Sequence, residues 1–281
     1  MKTLAAEARK IVRLGDAAFK KKGLKNFHLE AQHIVVNSKY CDLFDVQELL
    51  EGTFKKEFKH NQNFGSLQFS DLPVTVARGE NCFLDIYFWR RRPTVIHNHH
   101  FAGAFQCILG VNVDLEFEWK KERKLGSFHS LGKLEVKETK ILKKGDSESI
   151  GFLDSYIHQN HHQADLTVNL CLRTPEVKKT NLSNYLFGGL KFEKCPQFLS
   201  RTQRLHRVLG MQEMNINKLE IDLDDALQFL IATYESGLQD KRLLKLRRLL
   251  LLRVKNEWGI NPDQMLKAHE LEMDRLQELY D

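Results

Sequence analysis

Long apolar runs are missing from this sequence. The longest near the C-terminus, Leu249 to Leu252, is flanked by arginines and falls far short of the roughly 20 residues a bilayer span needs. No membrane crossing is expected. A signal peptide is equally absent from the pattern, because MKTLAAEARKIVRLGDAAFKKKG places charge in every short window where an apolar stretch would be required. The expectation is an unprocessed, cytoplasmic chain. Cysteines are few, odd in number and scattered (Cys41, Cys82, Cys107, Cys171, Cys195), with no C-x-x-C pair to begin a zinc or redox motif, so reduced thiols are expected. There is no internal repeat and no low-complexity segment.

A one-signed charge stripe is lacking as well. Residues 1–200 hold 30 basic against 23 acidic side chains, and the remainder 13 against 14. The basic residues fall in separate clusters (KKKGLK, KKEFK, RRR, KKERK) without interleaved aromatics, which argues for solvated faces and against a nucleic-acid partner. What is present is the composition of a folded protein: 42% hydrophobic residues, 28% charged, and 18 Phe in 281 residues.

The chain opens helical. Leu and Phe recur at three- and four-residue spacing over residues 3–20 and again over 44–60, in an N-terminal lead-in covering 1–65. From 66 to 175 the character changes to short runs rich in Val, Ile, Phe and Tyr, with strict alternation in VNVDLEFEW, which reads as a barrel or sandwich of strands. Residues 176–200, opened by Pro175 and holding Pro196 and paired glycines, read as an extended connector packing its aromatics on the barrel. Residues 201–281 return to helix: Asp222 and Asp225 as N-cap candidates before Leu227, Leu230, Ile231 and Tyr234, with Gly237 as a stop. A leucine stripe then runs from Leu243 through Leu246, Leu250 and Val254 to Trp258, ended by Gly259, and Asn261-Pro262 opens a last helix. The stripe lasts barely two heptads and reads as bundle core rather than a dimer zipper.

One region is dense in side chains suited to metal chemistry: TVIHNHHFAGAFQCILG, residues 94–110, after the strand FLDIYFW. Residues two apart on a strand share a face, so His97 and His99 project together while His100 turns away. Two imidazoles under-coordinate a first-row ion, so a third ligand must come from elsewhere. The downstream cluster SYIHQNHHQADLTVNLCLRTP supplies His158, placed before an alternating strand, with His162 as the alternative; His161 has the orientation problem of His100. On the alternating strand, Thr167, Asn169, Cys171 and Arg173 share a face that would line a cavity, with Arg173 as a carboxylate anchor. Tyr156 and Gln106 are further candidates beside the ligands. His28, His33, His60, His129, His206 and His269 are isolated and read as ordinary histidines.

An H-x-H strand, a return strand ending in Gly, and a later strand pair carrying one His resemble the two-motif layout of the cupin superfamily, with residues 94–110 as first motif and 145–175 as second. Ala104 stands where most metal cupins have a Glu ligand. This resembles the three-histidine cupins, and the terminal strand Val168 to Pro175 is similar to that of the thiol dioxygenases, cysteine dioxygenase among them. Asn169, Cys171 and Arg173 stand where those enzymes carry Ser, His and Tyr, and Ala104 where they carry a cross-linking Cys. The resemblance implies a mainly β chain with α, a cupin (RmlC-like jelly-roll) β-barrel with N-terminal helices and a C-terminal helical extension. It implies one Fe(II), with Zn, Ni, Mn or Cu as alternatives, on His97, His99 and His158. The implied activity is a dioxygenase-like oxidation of a small molecule, a thiol or a carboxylate. The rival readings are a metal- or ligand-binding module without O2 chemistry, and a Zn- or Ni-dependent isomerase or hydrolase.

Overall fold

The computed structural model describes residues 2–47, 49, 70–90, 93–177, 182–193, 223–224, 226–227, 230–231 and 241–280. Helices α1 (Lys2–Val36) and α2 (Tyr40–Leu43) are followed by nine strands: β1 (Leu72–Arg78), β2 (Phe83–Trp89), β3 (Ile96–His99), β4 (Gly103–Leu109), β5 (Asn112–Lys124), β6 (His129–Leu142), β7 (Ser147–Ile150), β8 (Leu153–His162) and β9 (Thr167–Arg173). A short hairpin of β10 (Ser183–Leu186) and β11 (Leu190–Glu193) precedes α3 (Lys241–Trp258) and α4 (Pro262–Tyr280).

The first helix runs well past the expected residue 20. Phe27, Ala31 and Val35, each fully buried, resume the apolar stripe beyond the lysine cluster, and Gly23 with φ 68° kinks the helix between the two stretches. Only the beginning of the expected 44–60 helix lies within the described residues. The same limit applies to Asp222, Asp225, Tyr234 and Gly237, and to Arg91, Arg92, Cys195, His60 and His206.

Strand order identifies the architecture. One sheet has the order β1-β2-β9-β4-β7, and the second, β10-β11-β6-β5-β8-β3, is a closed barrel. Strands far apart in sequence pair antiparallel, β2 and β4 with β9, and β3 and β5 with β8. That crossing pattern is the double Greek key of a jelly roll. The fold is therefore the expected jelly-roll barrel with an N-terminal helix and C-terminal helices.

The chain divides into two compact units, one of residues 1–118, 136–182 and 277–281, the other of 119–135 and 183–276. In the first, pleating explains why β2 and β9 read as nearly continuous apolar runs. Leu84, Ile86, Val168, Leu170 and Leu172 point to one side and join Ala8, Ile11 and Val12 of α1 in a single core. Asp85, Tyr87, Asn169, Cys171 and Arg173 point to the other side, into the barrel. Asp16 of α1 accepts the Glu80 and Asn81 amides at 3.0 and 2.8 Å, tying the helix to the β1–β2 turn.

In the second unit, the stretch expected as an extended connector instead contains the β10–β11 hairpin. Gly189, at φ +85°, makes the reversal sterically cheap. Leu227, Leu230 and Ile231 are helical and buried, and they pack in clusters with Leu250 and Val254 of α3 and Leu266 of α4. Gly259 (φ +66°) ends α3, and Asn261 Oδ1 accepts the Gln264 amide at 3.2 Å, capping α4 as the sequence suggested. Among the described residues no helix is long and apolar enough to cross a membrane.

Candidate metal centre

The strand pair β3–β8 brings His97 opposite His158, and a register shift between His97 and His99 follows. The three rings meet in pairs at centroid distances of 4.6, 4.8 and 4.9 Å, and one ligand atom from each lies within 4.8 Å of the others. His97, His99 and His158 are 4, 1 and 3% exposed. His99 Nε2 and His158 Nε2 are 2.9 Å apart. At metal–nitrogen bonds of about 2.1 Å, ligands at right angles stand about 3.0 Å from each other, so this pair fits one small divalent ion.

The other ring nitrogens fix the tautomers. His97 Nδ1 donates to the Val95 carbonyl at 2.8 Å, and His158 Nδ1 donates to Asp114 Oδ1 at 2.8 Å. A ring that donates from Nδ1 leaves Nε2 as the atom that can face a metal ion, the orientation a ligand needs. His99 is held well below its ordinary pKa by burial first, then by His97, His158, His100 and Arg173. A neutral imidazole follows.

The carboxylate of Asp114 is hydrogen-bonded to this group. Its Oδ2 accepts from Tyr156 OH at 2.8 Å while its Oδ1 holds His158. Tyr156 thus stands beside the ligands, its ring 4.6 Å from that of His158. Phe101 packs 4.7 Å from His99, and Phe105 packs 6.3 Å from His158. Burial pushes the Cys107 thiol up to about 12 and raises Cys171 further, so neither is a thiolate at neutral pH.

The remaining sequence candidates have other positions. His162 lies four residues along β8 from His158, about 13 Å on a strand. It donates from Nδ1 to Asn112 Oδ1 at 2.6 Å and stacks on Trp89 at 4.6 Å. It belongs to a separate polar cluster in which Asn112 Nδ2 donates to Asn169 Oδ1 at 2.8 Å. Gln106 is on the opposite face of β4 from Phe105 and Cys107, and its amide donates to the Gly145 carbonyl at 2.9 Å; one residue's difference in pleat turns it away from the histidines. Cys171 is on the inner face as expected. Arg173 is too, but its Nε donates to Asp85 Oδ2 at 2.7 Å, so the carboxylate expected from a substrate is supplied by the protein itself. His100 turns outward to Glu176 at 3.2 Å.

Two residues with clear roles escaped the sequence reading. Asp85 is the lone charge in FLDIYFW, and a lone buried charge demands a partner, which was the available signal. Asp114 sits on the polar side of the alternating VNVDLEFEW, and alternation alone does not say which face is the interior.

No family model and no curated protein matches this sequence. Solved structures that resemble it include the DMSP lyase DddQ from Ruegeria pomeroyi DSS-3, at 9% identity and TM-score 0.29. That match covers 46% of this chain and 58% of the other, so this chain spans little more than half its length. A cupin-2 domain containing protein from Shewanella frigidimarina NCIMB 400 is 10% identical over 49% of this chain and 99% of that one, with TM-score 0.29. Hydroquinone 1,2-dioxygenase PnpCD is 11% identical over 43% and 78%, with TM-score 0.31. Likenesses this distant carry no weight for fold or activity. The strand order by itself gives a jelly roll, and its His97–His99–His158 group could hold a metal ion.

Proposed function

We propose that this chain is a mononuclear non-haem oxygenase that holds Fe(II) on His97, His99 and His158 and oxidises a small organic substrate. The observation that carries this reading is the convergence of three buried imidazoles with no carboxylate among them, two with their tautomer set by a hydrogen bond. Three neutral ligands leave the full charge of the ion uncompensated and positions open on it. Ferrous iron held there would supply redox chemistry toward O2. The residues around it do the rest: Asp114 keeps the proton of His158 on Nδ1, and Phe101, Phe105 and Tyr156 pack against the ligand rings and exclude water. Free, buried Cys41, Cys82, Cys107 and Cys171 suit a reducing, cytoplasmic setting.

The test is metal analysis of untagged, anaerobically purified protein beside a His97→Ala/His99→Ala double variant, followed by O2-uptake measurements with small thiols and carboxylates. About one iron per chain, absent from the double variant, with substrate-dependent O2 uptake is the expected result. Stoichiometric zinc or nickel without O2 uptake would move the assignment to an isomerase or hydrolase, and no metal in either protein would leave a ligand-binding module.

A further inference from the structure

The inner face of the barrel carries one buried cation whose partner is already present. Arg173 is 2% exposed and is the one Lys or Arg in the buried class among the described residues. Its Nε donates to Asp85 Oδ2 at 2.7 Å and to Tyr87 OH at 3.1 Å, and its Nη1 donates to the Thr174 carbonyl at 3.3 Å. Its guanidinium carbon lies 5.2 Å from the centroid of Phe83 and 5.4 Å from that of Phe101. Asp85 is equally engaged: Thr75 Oγ1 donates to Oδ1 at 2.6 Å, and Tyr87 OH donates to Oδ2 at 3.0 Å. Phe101 in turn touches the ring of His99, so this closed ion pair stands one aromatic ring away from the candidate ligands.

Resting on the metal-site reading above, we infer that the substrate of this site carries no carboxylate tail: it is an uncharged organic molecule apart from whatever atom meets the metal, held by the apolar surfaces of Tyr87, Phe101, Phe105 and Tyr156. A carboxylate could recruit Arg173 only by displacing Asp85, which would leave that second carboxylate buried without its cation. Asp114 is a second buried carboxylate, occupied by His158 and Tyr156. Among the described residues, an anionic tail in the barrel would meet two buried carboxylates and no buried Lys or Arg besides the already paired Arg173, whereas an apolar tail would meet the buried rings of Tyr87, Phe101, Phe105 and Tyr156.

The experiment uses two thiols of equal chain length, propane-1-thiol and 3-mercaptopropanoate, titrated anaerobically into the full chain by calorimetry, with metal content measured on the same samples. Wild type is expected to bind propane-1-thiol about tenfold more tightly or better, the discrimination typical of one mismatched buried charge. Asp85→Asn should shift the ratio toward 3-mercaptopropanoate by a similar factor, because the guanidinium loses its internal anion. Equal affinities in wild type, a preference for 3-mercaptopropanoate that Arg173→Gln removes, or no binding of either thiol to metal-replete protein would overturn the inference. Should Asp85→Asn not fold, the wild-type ratio decides by itself. Absence of metal sinks the metal reading instead, and the ratio measured on that metal-free barrel still reports whether Arg173 attracts a carboxylate.

Discussion

Truncating Asp114 to Ala separates metal binding from folding at one residue. Its side chain is 1% exposed and accepts two buried donors, His158 Nδ1–H at 2.8 Å and Tyr156 O–H at 2.8 Å. Each stranded donor costs about 1–3 kcal/mol, so Asp114→Ala should lower stability by about 2–6 kcal/mol. The second effect acts through the ligand. Without the carboxylate, the His158 ring loses both its fixed orientation and the negative partner that raises the basicity of Nε2, and loss of such an outer partner lowers metal affinity about 10–100-fold. Asp114→Asn keeps an acceptor of the same shape but no charge, so it should retain most of the stability and lose affinity to an intermediate degree. Urea denaturation of the metal-free proteins gives the first quantity, and competition against a chromophoric chelator gives the second. A folded Asp114→Ala protein with wild-type metal affinity would refute the argument that this carboxylate holds His158 for a metal.

Three further outcomes follow from other parts of the molecule. Single Ala substitutions at His97, His99 and His158 should each abolish stoichiometric metal by elemental analysis, whereas His162→Ala, whose ring is taken up by Asn112 and Trp89, should keep it. Gly103→Ala should destabilise the first unit by several kcal/mol, because the added methyl would stand 2.4 Å from the Leu172 carbonyl oxygen and 2.9 Å from Arg173 Cα, backbone atoms of paired strand β9 that have little room to retreat; a thermal midpoint unchanged from wild type would contradict this. Burial lowers the pKa of His269 from 6.5 to about 4, and its Nδ1 accepts the Phe187 amide at 3.5 Å, so the folded ring is neutral. The unfolded chain takes up the proton first, so this contribution is whole above pH 6.5 and is lost as pH falls toward 4, by about 2 kcal/mol after discounting the ring's partial exposure. His269→Phe should flatten that part of the stability–pH curve, and an identical slope in both proteins would exclude His269 as its source.

Much of the fold was legible because local patterns and tertiary structure agreed. The strand region between residues 66 and 175, the terminators Gly259 and Asn261, and the buried faces at Leu250 and Val254 all follow from periodicity and capping chemistry that act within a few residues. The pairing of His97 with His99 was legible for the same reason, since a strand's two-residue repeat is a local property.

Contacts between distant strands were another matter. Alternation in VNVDLEFEW marked two faces of β5 but not which one meets His158. In the folded chain the polar face carrying Asp114 points at the histidine, while Val113, Leu115 and Phe117 bury the other side. Spacing alone puts Gln106 beside the ligands, whereas the pleat of β4 buries it on the face opposite Phe105 and Cys107. Choosing His158 over His162 as the residue beside His97 and His99 depended on the β3–β8 register, which holds one beside the pair and sends the other to Trp89. Arg173 was visible as a cation, but its partner Asp85 lies 88 residues away in sequence on a neighbouring strand. By itself, then, the sequence determined which residues are able to ligate, cap or pair, because those capacities reside in side chains and short-range backbone geometry. Tertiary structure alone decided which of them meet, because register and strand order are set by burial of whole sheet faces at once.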